Sequence, residues 1–259
     1  MTETQEQPQT FPWEGAGPKG EFWSSLEDNY HAIGQQVLKV FGAETVANFP
    51  LDASLDQSGK IKQLYAVSTE RLSQDSIVNS PTPETLSRDD WTKWYDGQSL
   101  LDRLESELGE HGKAVDRVRR LKVAWEKRFE LGNDPEIKSD KNVGILSTLS
   151  YMLLKAGQYA EAEEIARPLP DLFRDHPFLG PGPSPQELGT RRMLMETLAK
   201  QGKLDEAAKL NEEGYGIIAE LAKGKFAKYE HEEIEAMDEV KENLPKWASQ
   251  TGAVGAVGA

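Results

Sequence analysis

Residues 149–163 read LSYMLLKAGQYAEAE, and residues 194–207 read LMETLAKQGKLDEA. In each stretch an apolar helical run ends at a glycine, Gly157 or Gly202, and a second helical run begins directly after it. A helix that must reverse direction ends at least cost on a residue in the left-handed conformation, which glycine adopts without a Cβ clash. The turn Gly112-Lys113-Ala114 has the same setting, and Gly112, Gly157 and Gly202 stand 45 residues apart. A constant period of this size predicts stacked helical hairpins, each burying its neighbour's apolar face.

The rest of the chain continues the helical pattern. From Glu21, the residues Phe22, Leu26, Tyr30, Ile33, Val37 and Phe41 recur at spacings of three and four, and Gly42 stops the run. A second helix is expected from about Lys60, with Ile61, Leu64, Tyr65, Ser68 and Leu72 on one face. Ser80-Pro81-Thr82-Pro83 breaks the chain, because proline lacks the backbone donor and restricts the residue before it. A third helix opens on Ser87, with Asp90 three residues on as a capping-box acid. Its face carries Trp91, Trp94, Tyr95, Leu101, Leu104 and Leu108, and Gly109 and Gly112 end it. A fourth spans about 114–131, and Lys228 to Glu242 reads as an acidic amphipathic helix with Ile234, Met237, Val240 and Leu244 as its stripe. No group of adjacent runs alternates with period two, so the fold class is all-α.

The two quoted stretches resemble tetratricopeptide (TPR) repeats of the longer kinesin-light-chain type common in fungal multi-repeat proteins. The resemblance covers about residues 143–222 and extends more weakly over 98–142. It implies a right-handed array of antiparallel helical hairpins, a TPR-like α-solenoid, with a helical N-terminal extension. Ala162 and Ala207 fall where the family places alanine, so that the two helices of a hairpin approach closely. The bulky first-helix aromatic of the family is missing, and Pro168 and Pro170 are expected to break or kink the second helix of the earlier unit. The domain organisation expected is a flexible arm over 1–20, a helical region over 21–97 packed on the array, hairpins with a capping helix over 98–250, and a disordered tail over 251–259.

In this family the first helix of each hairpin lines the concave, ligand-taking face. The residues ten, six and two before each turn glycine are then the candidates. They are Asp102, Ser106 and Glu110, then Ser147, Tyr151 and Lys155, then Arg192, Glu196 and Lys200. A spacing of four keeps each trio on one helix stripe. Arg192 and Lys200 give the end of this groove a basic character suited to an acidic peptide segment, unless they and Glu196 simply form an ion-pair ladder on the helix surface. The expected function is therefore a cytoplasmic protein-binding scaffold that recognises a partner segment. The alternative is a cofactor-independent enzyme of cyclase or isomerase type, or a binder of a small hydrophobic metabolite. Its pocket would draw on Phe11, Trp13, Phe22, Trp23, Tyr30, Trp91, Trp94 and Tyr95.

Composition narrows the classes. The 259 residues carry 30 Lys and Arg against 44 Asp and Glu, a formal charge of −14, which excludes a general nucleic-acid binder. With no cysteine, thiolate metal sites and thiol nucleophiles are ruled out. His31, His111, His176 and His231 form no paired spacing, so neither a metal nor a cofactor is expected, although His231 lies among Glu230, Glu232 and Glu233. Arg117, Arg119 and Arg120 read as a solvated basic face. The opening residues lack a basic patch followed by an apolar run, so no secretory leader is expected, and no stretch suggests a membrane span.

Overall fold

The computed structural model describes residues 15–27, 30–132, 134, 139, 141–174 and 176–249. Most of the expected arm, with Phe11 and Trp13, and the whole expected tail lie outside the described residues. Among the described residues the regular structure is helical, with no strand. The chain divides into two compact units, 1–114 and 115–259.

The first unit holds α1 (Glu21–Ser24), α2 (His31–Phe41), α3 (Ala43–Ala47), α4 (Gln57–Ser73) and α5 (Arg88–Glu107), with a 3-10 turn at Pro83–Thr85. α2 and α4 both pack on α5, and α3 folds back on α2. Ile33 and Val37 of α2, Ile61 and Leu64 of α4, and Leu100 and Leu104 of α5 form one buried cluster with Val46 and Phe49. Two helices of this unit carry side-chain caps, and the one at Ser87 is as the sequence led us to expect. Asp56 accepts from the Gly59 N–H at 2.7 Å, and Ser87 accepts from the Asp90 N–H at 3.2 Å.

The helix expected from Glu21 to Phe41 is broken between Ser24 and His31. The Ser24 and Ser25 hydroxyls donate back to the carbonyls of Glu21 and Phe22, a local alternative to the helical ladder. The freed carbonyl of Ser25 accepts from Gln57 Nε2 at 2.8 Å and from the buried Lys60 Nζ at 3.2 Å. Apolar spacing alone did not carry this competition.

A single helix, α6 (His111–Leu131), leads from the end of the first unit into the second. The second unit continues with α7 (Val143–Lys155), α8 (Tyr159–Ala166), α9 (Leu169–Arg174), α10 (Pro185–Ala199), α11 (Leu204–Leu221) and α12 (Glu230–Ser249). α7 packs against α8, α8 against α10, and α10 against α11, while α7 also touches α10. α12 covers both α11 and α10. Surrounded in this way, α10 buries most of its circumference, including Leu188, Thr190, Met193, Leu194, Met195, Thr197 and Leu198, and leaves a half-buried stripe at Gly189, Arg192, Glu196 and Lys200. The acidic helix α12 buries Met237, Val240 and Leu244 as its stripe predicts, with Ile234 half-buried.

The turns require one correction. Gly157 and Gly202 have φ of 74° and 78°, but Gly112 lies inside the first turn of α6, and the left-handed residue is Gly109, φ 77°. The three ends share one hydrogen-bond pattern. Gly109, Gly157 and Gly202 donate to the carbonyls of Ser106, Leu154 and Ala199. The residues that follow, Glu110, Gln158 and Lys203, donate to Glu105, Leu153 and Leu198. This double closure satisfies carbonyls that the ending helix leaves open. Five residues past each glycine stands a fully buried alanine, Ala114, Ala162 or Ala207. The true register is therefore Gly109, Gly157 and Gly202, and the equal spacing from Gly112 is coincidental.

Candidate binding face on the first helices of the hairpins

The corrected register explains where the proposed face residues fall. Asp102 and Ser106, counted from Gly112, are buried. Counted from Gly109 they occupy the positions of Ser150 and Leu154, both buried in α7, and of Met195 and Ala199, both buried in α10. The residues of α5 that take the face positions are Ser99, Arg103 and Glu107, which are half-buried or exposed. The signal that finds this register is the glycine and the alanine five residues on, which Gly112 lacks because Arg117 stands there.

On α7 the stripe is formed as spaced. Ser147 is half-buried, while Tyr151 and Lys155 are exposed. Tyr151 keeps 40% of its surface open, and the Lys155 ammonium lies 5.2 Å from its ring centroid, within cation–π range. The opposite side of α7 buries Leu149, Met152 and Leu153, and the Ser150 hydroxyl donates to the Ala162 carbonyl of α8 at 2.8 Å. That bond and the small side chain of Ala162 fix how closely the two helices of this hairpin lie.

On α10 the stripe is occupied by the chain's own carboxylates. Lys200 Nζ pairs with Glu196 Oε1 at 2.8 Å, and Arg192 pairs with Glu233 of α12. Lys200 Nζ also lies 6.0 Å from the Tyr159 ring centroid at the start of α8. The ion-pair ladder weighed from sequence is thus present for Glu196 and Lys200, whereas Arg192 reaches out of its own helix.

Two ionic clusters were missed in the sequence. Glu187 of α10 is fully buried, and its carboxylate accepts from Arg174 of α9 at 3.0 and 3.2 Å and from Arg191 at 3.3 Å. Its own N–H is capped by Ser184 at 3.2 Å, so Ser184-Pro185-Gln186-Glu187 is a helix start whose acid has been recruited by arginines. Glu163 of α8 accepts from Lys203 and Gln201 at 2.6 Å each and from Arg167, which also pairs with Glu206 at 2.7 Å. Burial pushes the Glu163 carboxyl up, but the bonds from Lys203, Arg167 and Gln201 together hold it below the usual range. The bond from Arg167 lowers Glu206 as well. The first cluster joins α9 to α10, and the second joins the end of α8 to the turn and start of α11. The capping box at Ser184 was the readable signal for the first, and the second had none.

The residues behind the enzyme alternative have other duties. Trp91 and Trp94 are each 5% exposed, with ring centroids 5.0 Å apart, and form core. Burial pushes the Tyr95 phenol up to about 12, and the Asp102 and Asp96 carboxylates add to the shift against a bond from Ser99. A phenol in that state holds its proton and makes a poor general base near neutral pH. Trp23 borders two open clefts of about 480 and 580 Å³, with Tyr30 and His31 on one side and Phe49 and Leu51 on the other. Among the described residues no group of three His, Asp or Glu side chains is placed to hold a metal ion, and His231 Nε2 lies 3.4 Å from the Glu235 carboxylate. Of the arginines on α6, Arg119 pairs with Glu161 of α8 at 2.6 Å. Among the described residues no helix is long and apolar enough to cross a membrane.

No family model, no curated protein and no solved structure matches the chain.

Proposed function

We propose that the protein is a cytoplasmic protein-binding scaffold whose hairpins stack as a TPR-like, right-handed array. In this reading the stripe Ser147, Tyr151 and Lys155, continued by Arg192, Glu196 and Lys200, takes a carboxylate-bearing segment of a partner protein. The packing order supports the array: α7 on α8, α8 on α10, and first helix α7 on first helix α10. Zero cysteine is in keeping with a reducing compartment.

The observation that carries the function is Tyr151. It is a large aromatic left open on a helix that buries Ile145, Leu149, Met152, Leu153 and Leu154, with a cation over its ring. Tyrosine supplies broad contact area at low entropic cost and is enriched among residues that dominate binding energy. The α10 stripe adds selectivity, since its two cations already hold carboxylates. The metabolite alternative draws less support, because Trp91 and Trp94 are core and the clefts beside Trp23 are open.

The test is selection of displayed peptides on the immobilised full chain, followed by fluorescence anisotropy with the selected peptide. Tyr151→Ala is expected to weaken binding about tenfold or more, and Lys155→Glu to weaken it in proportion to the peptide's acidity. A selection that yields no saturable peptide, or a peptide indifferent to both substitutions, overturns the proposal.

A further inference from the structure

The most distinctive contact of the α10 stripe is Arg192 with Glu233. Glu233 stands near the start of α12, in the run Glu230-His231-Glu232-Glu233-Ile234-Glu235. That run is itself an acidic segment, the chemistry for which the face is proposed. Glu233, Met237, Val240 and Leu244 fall along one side of α12, and all four are buried. Met237 closes over Gly214 of α11, where an added Cβ would stand 2.5 Å from its terminal methyl. Its carbonyl accepts from the buried Asn211 side chain at 3.0 Å. An apolar stripe thus anchors α12 on α11 and presents one carboxylate to α10, as an amphipathic helix docks in a groove.

We infer that Glu233 is an internal competitor that keeps Arg192 closed to an incoming acidic segment. The inference rests on the proposed use of the α7 and α10 stripes for such a segment. Physical reasons make this a gate rather than a shared site. Arg192 retains 24% of its side-chain surface, so a ligand can reach it, whereas the Glu233 side chain retains 8%. A ligand carboxylate that takes Arg192 leaves Glu233 largely buried without its cation, a heavy penalty unless the first turn of α12 lifts. Lifting that turn spares the Met237, Val240 and Leu244 anchors, which lie one to three turns further on. The peptide site therefore has an open part on α7 and a gated part on α10.

The probe is a fluorescein-labelled octaglutamate peptide, titrated into the full chain at low ionic strength. Glu233→Gln keeps the shape of the side chain and removes its charge, and is expected to tighten binding about tenfold, with the gain lost in the Glu233→Gln, Arg192→Gln double variant. On the unsubstituted chain, saturating peptide is expected to speed amide exchange at residues 230–236 and to leave 237–244 unchanged. Equal affinity for the unsubstituted and Glu233→Gln chains, a gain that persists in the double variant, or exchange unaltered at 230–236 overturns the gate. If Tyr151→Ala still weakens binding in that case, the face reading stands without it. If octaglutamate binds none of the variants, the face reading for acidic segments fails, and the gate with it.

Discussion

The hairpins α7–α8 and α10–α11 turn in the same way and then diverge. Both first helices close on a left-handed glycine, with matching bonds from Gly157 and Gln158 and from Gly202 and Lys203, and both second helices seat a buried alanine opposite the first. Yet α8 stops at Ala166 after 8 residues, while α11 runs 18, from Leu204 to Leu221. The cause is Pro168 and Pro170, which deprive a continued α8 of the backbone donors at 168 and 170, against an unbroken LNEEGYGIIAEL in α11. The break has a use, since the chain restarts as α9, packs on α7 and α10, and brings Arg174 to the buried Glu187. Turn and helix length are therefore written in different residues, and the first can repeat while the second varies.

The sharpest way to break the shorter hairpin's attachment is Glu187→Ala. It removes the buried carboxylate that Arg174 and Arg191 share, leaving them their longer contacts to Glu220 and Glu213, and opens a void in a fully buried position, at an expected cost of about 3 kcal/mol. Chemical denaturation should show this as a lower midpoint with an unchanged slope; a loss under about 1 kcal/mol would mean that α9 contributes little. Ala162→Leu and Ala207→Leu come next. Each forces a larger side chain between two helices in contact, for about 2 kcal/mol, and the two should agree if the hairpins are truly alike.

Acid offers a gentler comparison, because the cluster around Glu163 has no counterpart at the same place in the later hairpin. Glu163 and Glu206 lie below their ordinary value of 4.5 in the folded chain, so the unfolded chain binds protons first as pH falls. Their contribution is present in full above about pH 4.5 and fades below it, as pH drops through the folded values. Glu163→Gln is expected to cost about 1.5 kcal/mol at pH 7, and the gap to the unsubstituted chain should close below pH 4.5. A gap that stays constant with pH would show that packing, not charge, is what the substitution removes.

Much of this was legible beforehand for physical reasons. The positions of α4 to α6, the stripe of α12 and the break at Pro168 follow from periodicity, caps and missing donors, all of which act within a few residues. The break after Ser24 was not legible, because two serine hydroxyls and distant Gln57 and Lys60 decide it together. On the candidate face, the α7 stripe emerged as the spacing required. Arg192 did not, since its partner Glu233 lies 41 residues away on a helix whose placement no local pattern gives. The misplaced first register came from weighing a glycine period without the alanine that should accompany it.

That register bears the account most directly, because every face residue is counted from a turn glycine. The decisive measurement is the pair of thermal melts for Gly109→Ala and Gly112→Ala. Gly109 is left-handed, φ 77°, so an alanine there is strained and should cost about 1 kcal/mol. Gly112 lies in a helix with open space around its missing Cβ, so an alanine there should leave the melt unchanged or raise it, by up to about 1 kcal/mol. A lower melt for Gly112→Ala with Gly109→Ala unaffected would restore the even 45-residue period and contradict the α5 register, which takes Asp102 and Ser106 off the face and puts Ser99, Arg103 and Glu107 on it.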